Sequence, residues 1–417
     1  MQLVVFEDAA YVHLLPLVYA RATFNLRCGF DNLLDKMESA FGVAAAAVFV
    51  RPLLAEVLRE RQRRPVNQTP PGEDQLWLNG RLLVRRRFEL PPGGAVWRGD
   101  TLLAARLDRR AAAGLSPETL LDPAALRGAL AACRPAELPP ESVRPIDHPW
   151  DLVHENPAEI VRQFAAHGPR VHGPVYAGAH LVHDAAIHLG DGTRVKPGAV
   201  LDAEDGPIFL GDGVTVAPNA VLVGPCFIGD GCVIQPGARI RPGSAIHMRC
   251  KVGGEVEGTI FHGFSNKQHD GFLGHAYVGE WVNLGAGTTN SDLKNTYGPV
   301  RVPINGRPVD SGQMFVGGFL GDHVKTGIHT TLPTGAVLGF AASVFLSRVV
   351  PQFVPSFSWL TDAADGVPGG EAVENDPARA WAVAVQMAAR RGRTLSAAEQ
   401  ALFFAVRDEA RRIERRA

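Results

Sequence analysis

The sequence has no apolar run long enough to cross a lipid bilayer, and it is poor in cysteine. Its most apolar stretch, residues 43–50, is much shorter than the roughly 20 residues that a membrane-spanning helix needs. The five cysteines include no Cys-x-x-Cys pair, and their odd number disfavours a disulfide framework. The first residues show no secretory pattern, so we expect a cytoplasmic protein without a membrane partner.

The sequence also has no excess of charge of either sign. Its 42 Lys and Arg residues against 43 Asp and Glu residues give a formal net charge of -1. No global electrostatic field attracts nucleic acid, so we expect no nucleic-acid partner, and any phosphate binding has to be local. A length of 417 residues predicts two or three domains.

The first part of the chain alternates between strand and helix patterns. Apolar residues 3–6 and 47–50 have the character of strands, whereas residues 32–37 and 53–58 have helical patterns. This alternation predicts an α/β domain over residues 1–145. Asn156 followed by Pro157 is a good helix start, which predicts a connector helix within residues 146–170.

Beyond residue 170 an aliphatic residue returns at every sixth position, a spacing that no helix gives. The turn-forming sequences Gly-Asp-Gly and Pro-Gly recur between these positions. The series is Leu189, Val195, Leu201, Leu210, Val216, Leu222, Ile228, Ile234, Ile240, Ile246 and Val252. It predicts a left-handed parallel β-helix of hexapeptide repeats over residues 171–350, with each aliphatic side chain pointing into the prism.

The six-residue register breaks after residue 202, again between Val252 and Val278, and again between Leu284 and Leu320. Loops that leave a solenoid commonly carry its chemistry, so residues 258–275 and 289–318 are predicted site segments. The last part, residues 351–417, has helical spacing and is predicted to be a helical tail.

The segment from residue 263 to residue 288 contains the order Ser-Asn-Lys-Gln-His, then Phe-Leu-Gly, then Asn-Leu-Gly-Ala-Gly-Thr. With these motifs the sequence resembles the bacterial bifunctional enzyme that acetylates glucosamine-1-phosphate and then uridylylates the product, and in particular its divergent branch. The resemblance implies that His269 is the general base for acetyl transfer, because imidazole titrates near neutral pH. Asp270 is a candidate to orient it.

The same resemblance assigns further binding residues. Those expected to contact the sugar phosphate are Arg241, Lys267, Phe272 and Asn283, and those expected to contact acetyl-CoA are Ala286 and Lys294. A planar guanidinium such as that of Arg241 suits phosphate binding. The second phosphate-binding lysine of the family falls on Thr259 or in a gap in this sequence. Because the sites of the family lie between subunits, the resemblance also implies a homotrimer.

The N-terminal domain carries a weaker version of the resemblance. Residues 14–23 are similar to the opening of the divergent branch, which implies a Rossmann-like sugar nucleotidyltransferase domain in which Arg21 and Lys36 bind the nucleotide. No glycine precedes residue 29, so a glycine-rich phosphate loop is missing. Mg²⁺ is expected for nucleotidyl transfer, with Asp100 as the candidate ligand.

The sequence therefore predicts a bifunctional transferase that uses acetyl-CoA, UTP and glucosamine-1-phosphate to make UDP-N-acetylglucosamine. An acyltransferase with a non-catalytic N-terminal domain is one alternative. A metal-dependent hexapeptide-repeat lyase is another, since His183 and His188 are spaced as zinc ligands can be. A β-helix scaffold without activity is the third.

Overall fold

The protein is described by a computed structural model that covers residues 1–362 and 372–414. It contains an N-terminal α/β domain, a connector helix, a parallel β-helix and two C-terminal helices. No helix within these residues is long and apolar enough to cross a membrane.

The N-terminal domain is built on a mixed six-stranded sheet. In spatial order its strands are Ala47–Phe49, Gln2–Phe6, Gln75–Asn79, Thr101–Leu107, Gly94–Arg98 and Arg134–Pro135. The first three are parallel, and the strand Thr101–Leu107 runs antiparallel to its neighbours. The parallel strands are buried on both faces, which explains why residues 3–6 and 47–49 form continuous apolar runs.

Five helices surround this sheet: α1 Leu33–Phe41, α2 Pro52–Arg61, α3 Arg109–Ala113, α4 Pro117–Leu120 and α5 Pro123–Ala129. The Asn32 side chain caps α1 by accepting a hydrogen bond from the Asp35 backbone N–H, and proline begins α2. Two short antiparallel pairs complete the domain: Arg27–Cys28 with Asp31–Asn32, and Leu82–Val84 with Val143–Pro145.

The predicted connector is helix α6, Pro149–His167. Its Asp151 carboxylate accepts hydrogen bonds from the backbone N–H groups of Asp147 and His148, which stabilises the helix start. Asn156 joins the domains, because its amide donates to the Gly243 carbonyl of the β-helix and accepts from the Gly29 backbone N–H. The helix begins seven residues before the predicted Asn-Pro start, and Pro157 lies inside it.

The β-helix has three faces, which we name by what they contact. The domain face packs on the N-terminal domain, the helix face packs on the C-terminal helices, and the remaining face is the third face. The domain face consists of Arg170–Val171, Ile187–Leu189, Ile208–Leu210, Cys226–Ile228, Ser244–Ile246, Ile260–Gly263, Tyr277–Glu280, Phe319–Leu320, Val337–Leu338 and Phe353–Val354.

The other two faces are interrupted sheets. The helix face consists of Arg194–Val195, Thr215–Val216, Val233–Ile234, Lys251–Val252, Asn266–Lys267, Lys325–Thr326, Ser343–Phe345 and Ser358–Thr361, with Val373–Glu374 antiparallel at its end. The third face consists of His180–Val182, Val200–Asp202, Val221–Val223, Arg239–Ile240, Glu255–Glu257, Phe272–Gly274, Thr289–Asn290 and Thr331–Leu332. The prism therefore continues about ten residues past the predicted end at residue 350.

The six-residue series from Leu189 to Val252 is fully buried inside the prism, as the sequence predicts. The prediction that residues 258–275 leave the prism is wrong, because they form strands paired with both neighbouring coils. Two features hide the six-residue pattern in the sequence. The corner at Gly253 and Gly254 is shortened, and Lys267 occupies an inward position where an aliphatic residue is expected. The later break is a true excursion, which contains the antiparallel hairpin Arg301–Ile304 and Arg307–Asp310.

The C-terminal tail forms helices α7, Pro377–Ala389, and α8, Ala397–Ile413. Asp376 caps α7, and Ser396 with Glu399 forms a capping box on α8. Tyr11 and Tyr19 of the N-terminal domain donate hydrogen bonds to Glu409 and Glu414. Glu414 also accepts hydrogen bonds from Ser356 of the β-helix, so the tail is fixed to both domains.

Candidate active site

The predicted base, His269, lies at an exposed corner between the helix face and the third face. Asn266 pairs with Asn283 on the next coil, so three residues further along each coil His269 lies beside Ala286. Adjacent coils are about 4.8 Å apart, as in any sheet. The structure therefore places the predicted base next to the residue predicted to contact the thioester. Within the described residues, the ring of His269 has no hydrogen bond to Asp270 or to any other group.

Glycines make this corner compact. Gly271 has a φ of +123°, and a Cβ there would lie 2.1 Å from the carbonyl oxygen of Thr288. The coil before it turns at Gly253, where a Cβ would lie 2.3 Å from the carbonyl oxygen of Gln268. The corner that carries His269 therefore depends on backbones that pack without side chains.

Lys267 lies inside the prism and not in the site. Its side chain is buried, and Nζ donates to the carbonyl oxygens of Gly253 at 2.8 Å and His269 at 3.0 Å. Burial lowers its pKa to about 8. The ammonium fixes the backbone on both sides of the corner, so its observed contacts are structural and differ from the predicted contact with substrate.

Asn283 faces a polar pocket of about 320 Å³ between the helix face and α7. Gln268, the residue before His269, lines the same pocket, so Asn283 and the base lie close together. Phe272 lies on the third face, where its backbone N–H donates to the Thr289 hydroxyl at 3.3 Å. The corner at His269 thus separates these two predicted substrate residues.

Arg241 already has anionic partners. Its guanidinium lies 3.2 Å from Glu255 and 3.3 Å from Glu257, so two carboxylates balance its charge. Thr259, at the position of the missing lysine, is fully buried and donates to the Glu257 carbonyl.

Lys294 lies at the start of the excursion, where Nζ donates to the Pro299 carbonyl at 2.7 Å. It is at the far corner of the third face from His269.

The two residues predicted to bind nucleotide have other partners. Arg21 is buried, donates to the Leu17 carbonyl at 2.6 Å and contacts Asp322 of the β-helix at 2.8 Å. Lys36 is buried against Glu159 of α6, at 2.8 Å. In this arrangement neither cation can reach a triphosphate, because each is the buried half of an ion pair with another part of the chain.

Buried ion pairs fill the carboxyl end of the parallel strands, where α/β domains commonly bind ligands. Glu7 follows the first strand and contacts Arg51 at 2.8 Å, and Asp8 receives two hydrogen bonds from Arg81. The Asn79 amide also donates to Asp8. Burial raises the pKa of Glu7, against the lowering effect of Arg51.

A polar layer connects this edge to the β-helix. Arg21 also lies 3.6 Å from Glu280, which contacts the His262 ring at 3.3 Å. Burial, together with the charge of Arg21, lowers the pKa of His262 to about 4. Although burial raises it, the His262 hydrogen bond and Arg21 hold the pKa of Glu280 below its usual range.

The described residues contain no group of three or more His, Cys, Asp or Glu side chains placed to hold a metal. Asp100 is exposed at a hairpin tip, 3.5 Å from Arg127, and stands apart from other carboxylates. His188 stacks on Phe209, whereas His183 is exposed, so the pair expected for a zinc lyase is not part of a metal cluster.

Sequence reasoning missed the cations that surround Asn283. Lys251, Lys325, Arg390 and Arg391 line its pocket. The lysines stand at outward strand positions and the arginines follow α7, so no spacing along the chain connects them. The adjacent Arg390-Arg391 pair was the only local signal.

Family models match both domains. Residues 3–168 match the model described as sugar nucleotidyl transferase, and residues 207–242 match the bacterial transferase hexapeptide model with six repeats. The chain therefore has an N-terminal α/β domain that matches the sugar nucleotidyl transferase model, followed by a left-handed β-helix of hexapeptide repeats, as the sequence predicted.

Curated relatives are named as bifunctional proteins. Over 118 residues the chain is 33% identical to a bifunctional sugar-1-phosphate nucleotidylyltransferase/acetyltransferase of Sulfurisphaera tokodaii, covering 28% of this chain and 29% of that protein. Over 196 residues it is 32% identical to the bifunctional protein GlmU of Methanococcus aeolicus, covering 46% and 41%. The chain thus spans less than half the length of these relatives.

Among solved structures, the chain matches a UDP-N-acetylglucosamine acyltransferase of Francisella novicida at 16% identity and a TM-score of 0.19, covering 54% of this chain and 74% of that one. A TM-score this low carries no weight for fold or function.

Proposed function

We propose that this protein is a bifunctional transferase that acetylates glucosamine-1-phosphate with acetyl-CoA and transfers a uridylyl group from UTP to the sugar phosphate. The observation that carries the acetyl-transfer half is the exposed His269 beside Ala286, at a corner that adjoins the Asn283 pocket. One relative whose name includes both activities, and another whose name says that it is bifunctional, support the pairing.

Acetyl transfer follows from the chemistry of an exposed imidazole. His269 accepts a proton from the sugar amine as the amine nitrogen attacks the thioester carbon of acetyl-CoA. The carbon–sulfur bond breaks, and the CoA thiolate takes up the proton from the imidazolium. Ala286 on the adjacent coil offers backbone polar groups to the thioester.

A second copy of the chain would complete this site. Within one chain, His269 lies at one edge of the third face, whereas Lys294 lies at the opposite edge. In a homotrimer, the far edge of one prism can face the His269 corner of its neighbour. Light scattering that gives the mass of a monomer would contradict this arrangement.

Nucleotidyl transfer rests on the match over residues 3–168 and on the names of the relatives. Mg²⁺ is expected for that chemistry, but the described residues do not fit it, because Asp100 has no companion ligands. A second candidate is therefore an acyltransferase whose N-terminal domain is structural. The burial of Arg21 and Lys36 in ion pairs favours it.

One coupled assay separates the two candidates. Purified protein receives glucosamine-1-phosphate, acetyl-CoA and UTP, and the release of thiol and of pyrophosphate is measured in parallel. Release of both supports the bifunctional enzyme, whereas thiol alone supports the second candidate. His269→Ala should abolish thiol release and leave pyrophosphate release from UTP and added N-acetylglucosamine-1-phosphate unchanged.

A further inference from the structure

Helix α7 forms one wall of a groove that runs along the helix face. One stripe of the helix and the residues just after it line the groove: Arg379, Ala380, Val383, Met387, Arg390 and Arg391. The far part, about 720 Å³, is lined by Phe345 and Trp359, and the near part is the Asn283 pocket. Lys325 lines both parts, so the groove is continuous.

The near part is a concentration of uncompensated positive charge. Lys251, Lys325, Arg390 and Arg391 line a space of about 320 Å³. Within residues 1–362 and 372–414, none of these four cations has a carboxylate partner. In a chain with nearly equal numbers of acids and bases, four unpaired cations around one pocket create a local field that attracts an anion.

The structure holds these cations in place with neutral groups. Arg391 donates to the Asn266 side-chain oxygen at 2.7 Å, and Asn266 contacts the Asn283 side chain at 3.4 Å. Lys325 Nζ donates to two backbone carbonyls, those of Trp281 and His323. An ammonium has three N–H donors, so one remains for a ligand. Burial lowers the pKa of Lys325 to about 7, against the raising effect of the Asp322 charge.

The contrast with Arg241 favours the near part of the groove as a phosphate site. Arg241 is neutralised by two glutamates, and its expected lysine partner is replaced by the buried Thr259. We infer that the near part of the groove binds the phosphomonoester of a substrate, and that Arg390, Arg391 and Lys251 hold it in place of Arg241. Because Gln268 lines the pocket, the phosphate lies beside the His269 corner.

This inference rests on the proposed function only for the identity of the ligand. Glucosamine-1-phosphate carries a phosphomonoester, and so does the ribose 3′ position of CoA. The site chemistry is the same for both, since arginine and lysine bind the dianion through charge-assisted hydrogen bonds. Dephospho-CoA lacks the group and separates the two sources.

The test is calorimetric titration of the full chain with inorganic phosphate, glucosamine-1-phosphate, CoA and dephospho-CoA. Arg390→Ala and Lys251→Ala should each weaken phosphate binding by about tenfold, the usual effect of removing one charge-assisted bond. Arg390→Lys should recover part of the affinity. Arg379→Ala, at the other end of α7, and Arg241→Ala should change it by less than about twofold. Equal melting temperatures confirm that the variants fold.

Two results would overturn the inference: unchanged phosphate affinity in Arg390→Ala and Lys251→Ala, or a loss confined to Arg241→Ala. If the two groove variants weaken glucosamine-1-phosphate but not CoA, the ligand is the sugar phosphate. If they weaken CoA but not dephospho-CoA, it is the coenzyme. A failure here leaves thiol release by wild type and its loss in His269→Ala intact, so it is distinct from a failure of the proposed function.

Discussion

Replacing Arg21 by alanine removes the cationic half of a buried ion pair between the N-terminal domain and the β-helix. The Arg21 side chain is 6% exposed and that of Asp322 is 5% exposed, so the carboxylate would remain buried without its partner. Leaving one buried charge unpaired costs about 3–5 kcal/mol. The variant also loses the bond to the Leu17 carbonyl. We expect the free energy of unfolding, measured by urea denaturation, to fall by about that amount.

Asp322→Asn provides the matched control. In the double variant Arg21→Met with Asp322→Asn, position 322 no longer carries an unpaired charge, and we expect about half of the lost stability to return. If Arg21 were instead a nucleotide ligand, Arg21→Ala would weaken UTP binding at unchanged stability. A stability loss below about 1 kcal/mol, together with weaker UTP binding, would refute the interdomain role.

Two further predictions concern the same layer and the active-site corner. The pKa of His262 is about 4 in the folded chain against 6.5 normally, so the unfolded chain binds more protons between these values. The contribution of His262 to the free energy of unfolding is therefore fully present above pH 6.5, and it falls by up to about 3 kcal/mol as the pH drops towards 4. In His262→Gln, the urea concentration at the midpoint of unfolding should change less across this pH window. Gly271→Ala should lower the free energy of unfolding by at least about 3 kcal/mol, because its Cβ would strike the carbonyl of Thr288. Gly213 has a φ of +65° and open space around it, so Gly213→Ala should lower the free energy of unfolding by about 1 kcal/mol. Equal thermal shifts for the two glycine variants would contradict this account of the corner.

The β-helix was predictable because its inward positions are chemically uniform. One aliphatic residue per six positions faces the interior over many coils, and the periodicity needs no knowledge of tertiary structure. The prediction failed at residues 258–275, where the six-residue rule does not hold. A corner shortened to Gly253 and Gly254 shifts the spacing, and Lys267 occupies an inward position that a sequence pattern assigns to solvent.

The candidate site was predictable only where its residues follow one another along the chain. His269 and Ala286 belong to one contiguous motif, and strand pairing brings them side by side. The cations of the groove come from separate coils and from α7, and only the docking of that helix collects them. Arg21 and Lys36 show the opposite problem. Their positions in the sequence predicted nucleotide binding, but each pairs in the folded chain with a carboxylate that is distant in sequence.

The most direct test of the central claim is thiol release from acetyl-CoA in the presence of glucosamine-1-phosphate. Wild type should release thiol in step with amine acetylation. His269→Ala should lose at least about a hundredfold of that rate, the usual contribution of a general base, with its melting temperature preserved. Thiol release at the wild-type rate in His269→Ala would contradict the account.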